Sequence, residues 1–511
     1  MRLQLLTGLL VAGLSVAAVG ADNDQALRRA VVKVFATQGQ LNLNTPWHRS
    51  EGREVTGSGV WLGNRRILTN AHCVERNIQV SVQTHDSSDR IPASVKFIAH
   101  AMDLAVLEVE TDEPFQNAQP AELVNELPKL RTTVRVYGFP EGGNSLSVTE
   151  GIVSRIEYTA YHLGELGLRM QVDAAVNRGN SGGPVVSDGK LVGLAFAKVS
   201  LADNIGYAIP AEEIAAVLQD GEDGAVDGKL QLGVEAQRLE NPALRKQLGV
   251  PKEVLGVLVN SISSRVENFP LRVGDVITQI GGQALDNSGQ GSINDEIKVP
   301  AAYFSNKFAR DARVSVTVWR NDTTETLEVP LERTAPNVQQ ALKGRDPDWF
   351  LMGPFVFGEA TADFFQMFDA ILMSGNAPQR PASVAALLTM QFRNSPLLKR
   401  RYERPAFDGE QLVVVLNWLP HRIGTGYSAP TLYTLKSLNG QKVQNTRHLV
   451  ELLRDSREEY WQFDFYDEHS ERIVLTRQET LAATKNLMDK LAIPRQGSPN
   501  LLDIWNAKPA E

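Results

Sequence analysis

The sequence predicts a mainly β protein of about three domains, and three observations support this fold class. The chain has 511 residues, and a domain takes up roughly 150. Between residues 30 and 210, short β-rich runs such as VVKVFAT and LAVLEVE alternate with turn residues, which is typical of an antiparallel barrel or sandwich. After a Gly- and acid-rich segment at 220–228, two further stretches mix strands with short helices. We therefore expect one all-β domain followed by two α+β domains.

The overall composition is that of a globular protein. Hydrophobic residues make up 42% of the chain and charged residues 22%, which argues against extensive disorder. The formal net charge is -8, whereas binding to nucleic acid needs a concentrated basic face. We therefore expect no nucleic-acid partner.

The first residues have the pattern of a secretory signal. Arg2 precedes an apolar stretch at 5–19, and the small residues Ala18 and Gly20 offer a cleavage site, so we predict a signal peptide at 1–21. An N-terminal membrane anchor is the alternative, but this stretch is short for a span of ~20 residues. We expect an exported protein without a stable membrane span, periplasmic or extracellular.

Export raises the question of disulfide bonds, which are common outside the cytosol. Cys73 is the only cysteine, so no intramolecular disulfide can form. It lies beside an apolar run in ILTNAHCV. We expect a small buried side chain rather than a reactive thiol.

The turn and helix signals divide the chain into segments. In the first domain, predicted at 30–218, the run PAEEIAAVLQ closes the β-rich region as a helix, with Pro210 at its N-terminus. The second domain is predicted at 229–333, where Gly281 and Gly282 form a hairpin turn and PAAYFSNKFA a short helix. The third, at 336–495, carries a helical insertion. Its run TLKSLNGQKVQNTRHLVELLRD repeats the order of strand, Gly turn and helix, as a diverged duplicate would.

Three side chains in the first domain have the types and order needed for nucleophilic catalysis. A serine hydroxyl is a weak nucleophile until a base takes its proton, and a third group must orient that base. His72 lies in ILTNAHCV, Asp103 in AHAMDLAVLEV, and Ser181 in the glycine-rich GNSGGP. The order His, Asp, Ser matches the chymotrypsin-like arrangement and differs from subtilisins and α/β-hydrolases. We predict that these three residues form a catalytic triad.

Each of the three has a purely structural alternative. On its own, His72 fits a strand end, Asp103 a turn that opens a strand, and Ser181 a tight turn. Other residues could supply the base or the acid, namely His85, His100, His162, Asp86 and Asp173. Asp173 lies too close to Ser181 in sequence to be our choice for orienting the base, and none of these histidines has a comparable sequence context.

Four blocks of the first domain carry a resemblance to a known family. TGSGVWLGNRRILTNAHCV, DLAVLEV, VDAAVNRGNSGGPVV and NIGYAIP are similar, in the same order, to the protease domain of the HtrA/Deg serine proteases. The second domain, with LQLGV and LRVGDVITQIGGQAL, resembles the PDZ domain that follows the protease in that family. The third resembles the divergent second PDZ-like domain of Deg proteases.

This resemblance implies a fold and a mechanism. We expect a chymotrypsin-like double β-barrel in which His72 takes the proton of Ser181, Asp103 holds the imidazole, and the N–H groups of Gly179 and Ser181 form the oxyanion hole. The family needs no metal or organic cofactor and assembles as trimers or multiples of trimers. Arg178 stands where many relatives carry proline, so we expect an oxyanion loop that rests in a different or a switchable conformation.

Other segments are candidates for substrate contacts. The small and apolar residues of 194–198 and 204–210 suggest cleavage after aliphatic or small apolar residues, although they could equally pack the barrel. In the second domain, backbone N–H groups of LQLGV can bind the carboxylate of a peptide C-terminus. The predicted peptide-binding residues are Leu232, Gly233, Val234 and Tyr303.

Together these features predict an ATP-independent serine endopeptidase that acts on unfolded or damaged proteins, with PDZ domains that recruit or sense peptide ends. Two alternatives stand beside it. One is a peptide-binding, chaperone-like scaffold with a silent protease site, and the other is a processing enzyme with few substrates. The basic run at 399–405 is most simply a solvated surface.

Overall fold

The computed structural model describes residues 24–39, 42–48, 52–124, 126–161, 165–198, 206–333, 336–364 and 380–508. The chain forms two compact units. The first comprises Met1–Gln38 and Arg53–Thr334, and the second Gly39–Gly52 and Ala335–Glu511. The predicted signal peptide, His162 and most of the helix candidate at 360–373 lie outside the described residues.

Two closed six-stranded β-barrels open the first unit, as the fold class predicted. Strands of the first barrel pair in the order β1-β2-β3-β6-β5-β4, and those of the second in the order β10-β11-β12-β9-β8-β7. The twelve strands are β1 (Val31–Gln38), β2 (Arg53–Gly63), β3 (Arg66–Thr69), β4 (Asn77–Thr84), β5 (Ile91–Ala99), β6 (Leu104–Val109), β7 (Thr133–Gly138), β8 (Ser147–Ala160), β9 (Leu166–Val172), β10 (Pro184–Ser187), β11 (Lys190–Lys198) and β12 (Gly206–Pro210). Closure removes the free sheet edges that an open sheet would expose.

Apolar side chains fill the barrels, and a helix follows the second one. Val32 and Leu104 are fully buried in the first barrel, and Val153 and Leu168 in the second. The helix Ala211–Asp220 begins directly after Pro210, which serves as its N-cap, and this confirms the helix predicted from PAEEIAAVLQ.

An α+β module with the elements predicted for a PDZ domain completes the first unit. Its main sheet has the order β14-β15-β16-β20-β21, with β14 at one edge, and the two glycines at 281–282 turn β16 into β17 with positive φ angles. Its strands are β13 (Leu230–Gln231), β14 (Val234–Arg238), β15 (Val257–Ile262), β16 (Val276–Ile280), β17 (Gln283–Ala284), β18 (Gln290–Ser292), β19 (Lys298–Pro300), β20 (Arg313–Arg320), β21 (Thr323–Pro330) and β22 (Glu332–Arg333); its helices are Pro242–Gln247 and Ala301–Lys307.

This module and the second barrel share one apolar core. Val153 and Met170 of the barrel belong to the same buried cluster as Val299 and Val316 of the module. At the junction, Lys229 Nζ pairs with the buried Glu213 at 2.8 Å. The first unit is therefore held together by a continuous core and a shielded ion pair.

The second unit consists of two sheets and several helices. The sheets have the orders β23-β24-β25 and β27-β26-β28-β29. As β16 turns at two glycines into β17, β26 turns at Gly440 into β27, but β18 and β19 precede the helix in the first case and no strand does in the second. The strands are β23 (Trp349–Met352), β24 (Phe355–Glu359), β25 (Val413–Trp418), β26 (Leu435–Leu438), β27 (Gln441–Lys442), β28 (Tyr460–Phe465) and β29 (Ile473–Thr476); the helices are Arg380–Phe392, Pro396–Lys399, Thr446–Asp455, Arg477–Lys490 and Pro499–Asn506. Among the described residues, we find no helix that combines the length and the apolar character needed to span a membrane.

The segment 39–52 was not expected in the second unit. It leaves β1 at Gln38 and returns at Arg53, two residues that pair at the neck of the first hairpin. Between them, the Trp47 ring lies 5.3 Å from the ring of Trp349, and the Asn417 amide donates to the Asn44 carbonyl at 2.9 Å. The sequence places this segment within the first domain, whereas its described side chains Leu43 and Trp47 pack against an apolar cluster of the second unit.

Candidate active site

His72 and Asp103 are locked together by several hydrogen bonds. His72 lies in the short helix Ala71–Val74 after β3, and Asp103 opens β6 in the left-handed conformation, with φ of 55°. The backbone N–H groups of Ala71 and His72 donate to the carbonyl and carboxylate of Asp103 at 3.1 and 3.0 Å. These hydrogen bonds from backbone N–H groups fix two chain segments, 31 residues apart in sequence, against each other. They do so independently of the contact between the imidazole and the carboxylate.

The imidazole of His72 is oriented by the same carboxylate. Its Nδ1 lies 2.8 Å from Oδ2 and 3.0 Å from Oδ1 of Asp103. A proton on Nδ1 is the one this carboxylate can accept in a hydrogen bond, which leaves Nε2 free to act as a base. Asp103 is 8% exposed, so little water competes for the contact.

The surroundings of His72 raise its pKa above the ordinary 6.5. Burial opposes the charged imidazolium, but the neighbouring Cys73 sulfur and the Asp103 carboxylate outweigh that effect by favouring the proton. The side chain is about half exposed, at 47%, so water screens part of this attraction. The direction of the shift means that His72 holds its proton more firmly than a free histidine.

Ser181 lies where the two barrels meet. Its carbonyl accepts a hydrogen bond from the Ser58 N–H of β2 at 2.8 Å and lies 3.8 Å from Cys73 Sγ, one residue from His72. The Ser181 hydroxyl points to the carbonyl of Phe196, at 3.5 Å. Among the described residues, the Phe196 carbonyl is the hydrogen-bond partner of this hydroxyl, and His72 is not.

The glycines around Ser181 are required by close backbone contacts. Gly179 has a φ of +95°, and a Cβ there would lie 2.4 Å from the Phe139 carbonyl oxygen and 2.5 Å from the Glu141 nitrogen. The carbonyl of Arg178 accepts from the Glu141 N–H at 2.7 Å. These contacts hold the peptide between Arg178 and Gly179, which carries one of the predicted oxyanion donors, against the loop after β7.

The rival residues have other contacts. Asp173 accepts from the Ile152 N–H at 2.5 Å and so ties β8 to the loop before Ser181. His85 faces the exposed Asp86 at 4.0 Å, and His100 faces Glu75 at 3.5 Å. Among these described candidates, only His72 has a carboxylate within 3 Å of its ring nitrogen.

Most of the predicted specificity strand packs the barrels. Leu194 and Ile209 are buried in the first apolar cluster, and Ala195 and Ala208 in the second. Phe196 is the residue of 194–196 that contacts Ser181. Asn204 and Ile205 lie outside the described residues.

The predicted peptide-binding loop lies at the edge strand β14. Gly233 has a φ of +70°, and its carbonyl accepts from the N–H groups of Ser263 and Ser264, each at 2.9 Å. Leu232 and Val234 are half-buried against the apolar core of the module. An edge strand beside such a turn can pair with an extended peptide.

Tyr303, the fourth predicted peptide-binding residue, makes contacts towards the second barrel. Its ring is buried against Tyr158 of β8, and its hydroxyl donates to Glu212 at 2.9 Å. The described contacts of the side chain are therefore with the second barrel and with the helix that follows it. Its aromatic type gave no indication of this direction.

The comparisons with known proteins agree with this architecture. The family of trypsin-like peptidase domains matches residues 57–194, and a PDZ domain family matches residues 338–500. Protease Do-like 2, chloroplastic, from Arabidopsis thaliana is 31% identical over 490 residues, which cover 94% of this chain and 77% of the relative. Protease Do-like 4, mitochondrial, from the same plant is 31% identical over 468 residues, covering 91% and 84%. The structure of the HtrA-type protease AlgW with a decapeptide is 26% identical with a TM-score of 0.47, covering 62% of this chain and 99% of that one.

Two closed six-stranded barrels, a trypsin-like peptidase match and a PDZ match define the class: a chymotrypsin-like serine endopeptidase joined to a PDZ domain. Since the identity to a Do-like protease reaches 31% across nearly the whole chain, the chain belongs to the HtrA family of Do-like serine proteases.

Proposed function

We propose that Ser181, His72 and Asp103 are the catalytic triad of this endopeptidase. The observation that carries this assignment is the His72–Asp103 contact of 2.8 Å beside the glycine-framed Ser181 loop. Ser181 Oγ attacks the peptide carbonyl while His72 takes its proton and then donates it to the leaving amine. The N–H groups of Gly179 and Ser181 would stabilise the oxyanion, and one such donor contributes about 3–4 kcal/mol.

The resting position of Ser181 requires one movement before catalysis. Its hydroxyl bonds to the Phe196 carbonyl, so rotation about the Cα–Cβ bond must bring Oγ to Nε2 of His72. This observation favours, as a second candidate, a peptide-binding scaffold with a silent site. The two candidates differ in whether that rotation ever occurs.

We propose unfolded or damaged proteins as the substrates, in a protein quality-control role. Such chains expose extended segments that can pair with the edge strand β14, and their C-terminal carboxylates can meet the N–H groups around Gly233. Leu232 and Val234 would line that site. A processing enzyme with few substrates would instead cleave a peptide library at a narrow set of sequences.

Labelling and cleavage measured together test the catalytic assignment. The wild type should react with a fluorophosphonate probe and digest casein, and Ser181→Ala should do neither. Adding C-terminal peptides should raise the labelling rate if the site rests inactive. Equal casein digestion by both proteins would remove Ser181 from the mechanism, and a wild type that never labels, with or without peptides, would favour the scaffold.

We also propose that the protein is exported, most simply to a periplasm, and assembles as a homotrimer or a multiple of trimers. The support is the N-terminal pattern at 1–21 and the family; two plant relatives are named for the chloroplast and the mitochondrion. Mass measurement in solution tests the assembly, since a monomeric mass would contradict it. Fractionation of the native host tests the compartment.

A further inference from the structure

A guanidinium lies over three aromatic rings, one of which belongs to the strand that contacts Ser181. The Arg169 Cζ atom lies 5.0 Å from the ring centres of both Tyr161 and Phe196, and 5.2 Å from that of Tyr207. Its Nη2 donates to the Ala160 carbonyl at 2.7 Å. A cation over several aromatic faces is held by their quadrupoles, more strongly where water is excluded.

This cluster is built from three strands of the second barrel and the residue that follows a fourth. Arg169 comes from β9, Tyr161 follows β8, Phe196 lies in β11 and Tyr207 in β12. The rings of Tyr161 and Phe196 are 5.4 Å apart, and those of Phe196 and Tyr207 are 6.5 Å apart. Arg169 Nε is buried without a hydrogen-bond partner among the described residues, so this side of the guanidinium is held by packing and not by a hydrogen bond.

Phe196 needs such support because it is the extra residue of a β-bulge. The pairing of β11 with β12 moves from Ala195–Ala208 directly to Ala197–Tyr207, so Phe196 has no partner opposite it. A bulge frees a residue from the hydrogen-bond ladder and redirects it. Here the freed carbonyl lies beside the Ser181 hydroxyl, and nothing in the ladder fixes it in that place.

We propose that Arg169 is a positioning residue for the proteolytic reaction. By holding the Phe196 ring, it places the Phe196 carbonyl next to Ser181, where that oxygen can receive a backbone N–H of an extended substrate. This inference rests on the proposed role of Ser181. It assigns to Arg169 the alignment of the substrate chain and not the activation of the nucleophile.

The test compares Arg169→Met, Arg169→Lys, Phe196→Leu and the double variant Arg169→Met/Phe196→Leu. Cleavage of a peptide substrate, measured as kcat/KM, should fall at least about tenfold in Arg169→Met and less in Arg169→Lys, which keeps the charge. Labelling by a small fluorophosphonate, which has no peptide backbone to align, should change by less than about threefold. The double variant should match Phe196→Leu, because both changes disrupt the same contact.

Arg90→Met is the matched control. Arg90 also lies over an aromatic ring, that of Phe35 at 3.8 Å, but in the first barrel, so peptide cleavage should be unchanged. Unchanged cleavage in Arg169→Met, an equal loss of cleavage and labelling, or multiplicative losses in the double variant would overturn the proposal. If Arg169→Met does not fold, Arg169→Lys replaces it in a double-mutant cycle with Phe196→Leu. Unchanged cleavage in Arg169→Lys, an equal loss of cleavage and labelling, or multiplicative losses in that double variant would then overturn the proposal. A wild type without Ser181-dependent cleavage would refute the proposed function instead.

Discussion

At the scale of single residues, the raised pKa of His72 predicts how activity depends on pH. The base must be neutral to accept the Ser181 proton, and the Cys73 sulfur and the Asp103 carboxylate favour the protonated form over the opposing effect of burial. We therefore expect kcat/KM for a peptide substrate to rise with pH through a midpoint above the ordinary histidine value of 6.5, when measured from about pH 5 to about pH 10.

Removing the carboxylate should change that profile in a defined direction. Asp103→Asn takes away an interaction that raises the pKa, so the midpoint should move to lower pH while the plateau falls, by up to about 10⁴-fold. Asp86→Asn is the control, because Asp86 also neighbours a histidine, at 4.0 Å, and should leave the profile unchanged. A midpoint that stays in place in Asp103→Asn would contradict the assigned pair.

A second prediction concerns the loop that presents Ser181. Gly179 and Gly142 have similar positive φ angles, +95° and +83°, but a Cβ at Gly142 meets nothing within 4 Å. Both alanine variants bear the cost of the left-handed conformation, about 1–2 kcal/mol. Gly179→Ala must in addition displace the backbone at Phe139 and Glu141.

Fluorophosphonate labelling and thermal unfolding separate the two glycine variants. Gly142→Ala should label at nearly the wild-type rate, with a slightly lower Tm. Gly179→Ala should label at least about tenfold more slowly, because the N–H group proposed as an oxyanion donor moves with the loop. Equal labelling rates for the two variants would show that Gly179 does not position the site.

At the scale of elements, segment 39–52, the loop between β1 and β2, contacts the second unit. This contact predicts which unit loses stability when a residue of the loop is substituted. Trp47 lies against Trp349 and is half-buried in the apolar cluster of the second unit. Trp47→Ala should therefore lower the Tm of the second unit by several degrees, since about 1 kcal/mol shifts a unit of this size by roughly 2–4 °C. Tyr402→Ala is the control, since this aromatic ring in the same unit is 76% exposed.

Scanning calorimetry of the full chain measures both Trp47→Ala and Tyr402→Ala. We expect Tyr402→Ala to melt like the parent protein. If Trp47→Ala shifts only the transition of the first unit, segment 39–52 stabilises the first barrel and not the second unit. Our assignment of this segment to the second unit would then be wrong.

At the scale of the whole molecule, the two compact units predict two unfolding transitions. The second barrel and the adjoining α+β module share one core, so they should melt together. Ile277→Ala, in the module, should lower the transition of the first unit, and Phe463→Ala that of the second; both side chains are at most 1% exposed, and such truncations cost about 2–5 kcal/mol.

Calorimetry of variants that also carry Ser181→Ala avoids self-digestion. Fluorophosphonate labelling of the active forms after heating then identifies the unfolding transition in which the Ser181 site is lost. Labelling should be lost at a lower temperature in Ile277→Ala and at the parent temperature in Phe463→Ala. A module that melts in a transition of its own, with labelling retained, would contradict the shared core.

Local sequence patterns were sufficient for the catalytic candidates. His72, Asp103 and Ser181 each sit in a short block whose glycines, turn residues and apolar strands constrain the backbone nearby, and the helix after Pro210 and the hairpin at Gly281 are set by equally local preferences. The barrel fold follows from repeated short strands, because alternating apolar residues must be buried on one side of each strand.

Contacts between distant segments were decided only in three dimensions. The direction of Tyr303 depends on which face of its helix meets the barrel, and the bulge at Phe196 depends on the register of two strands. The three rings around Arg169 come from β11, from β12 and from the residue after β8. Likewise, Trp47 packs in the second unit, although in sequence it follows β1, which belongs to the first unit. The sequence by itself determined the fold class and the chemical groups, because these depend on local patterns; the tertiary structure decided which side chains meet, because packing selects among many orientations that local patterns allow equally.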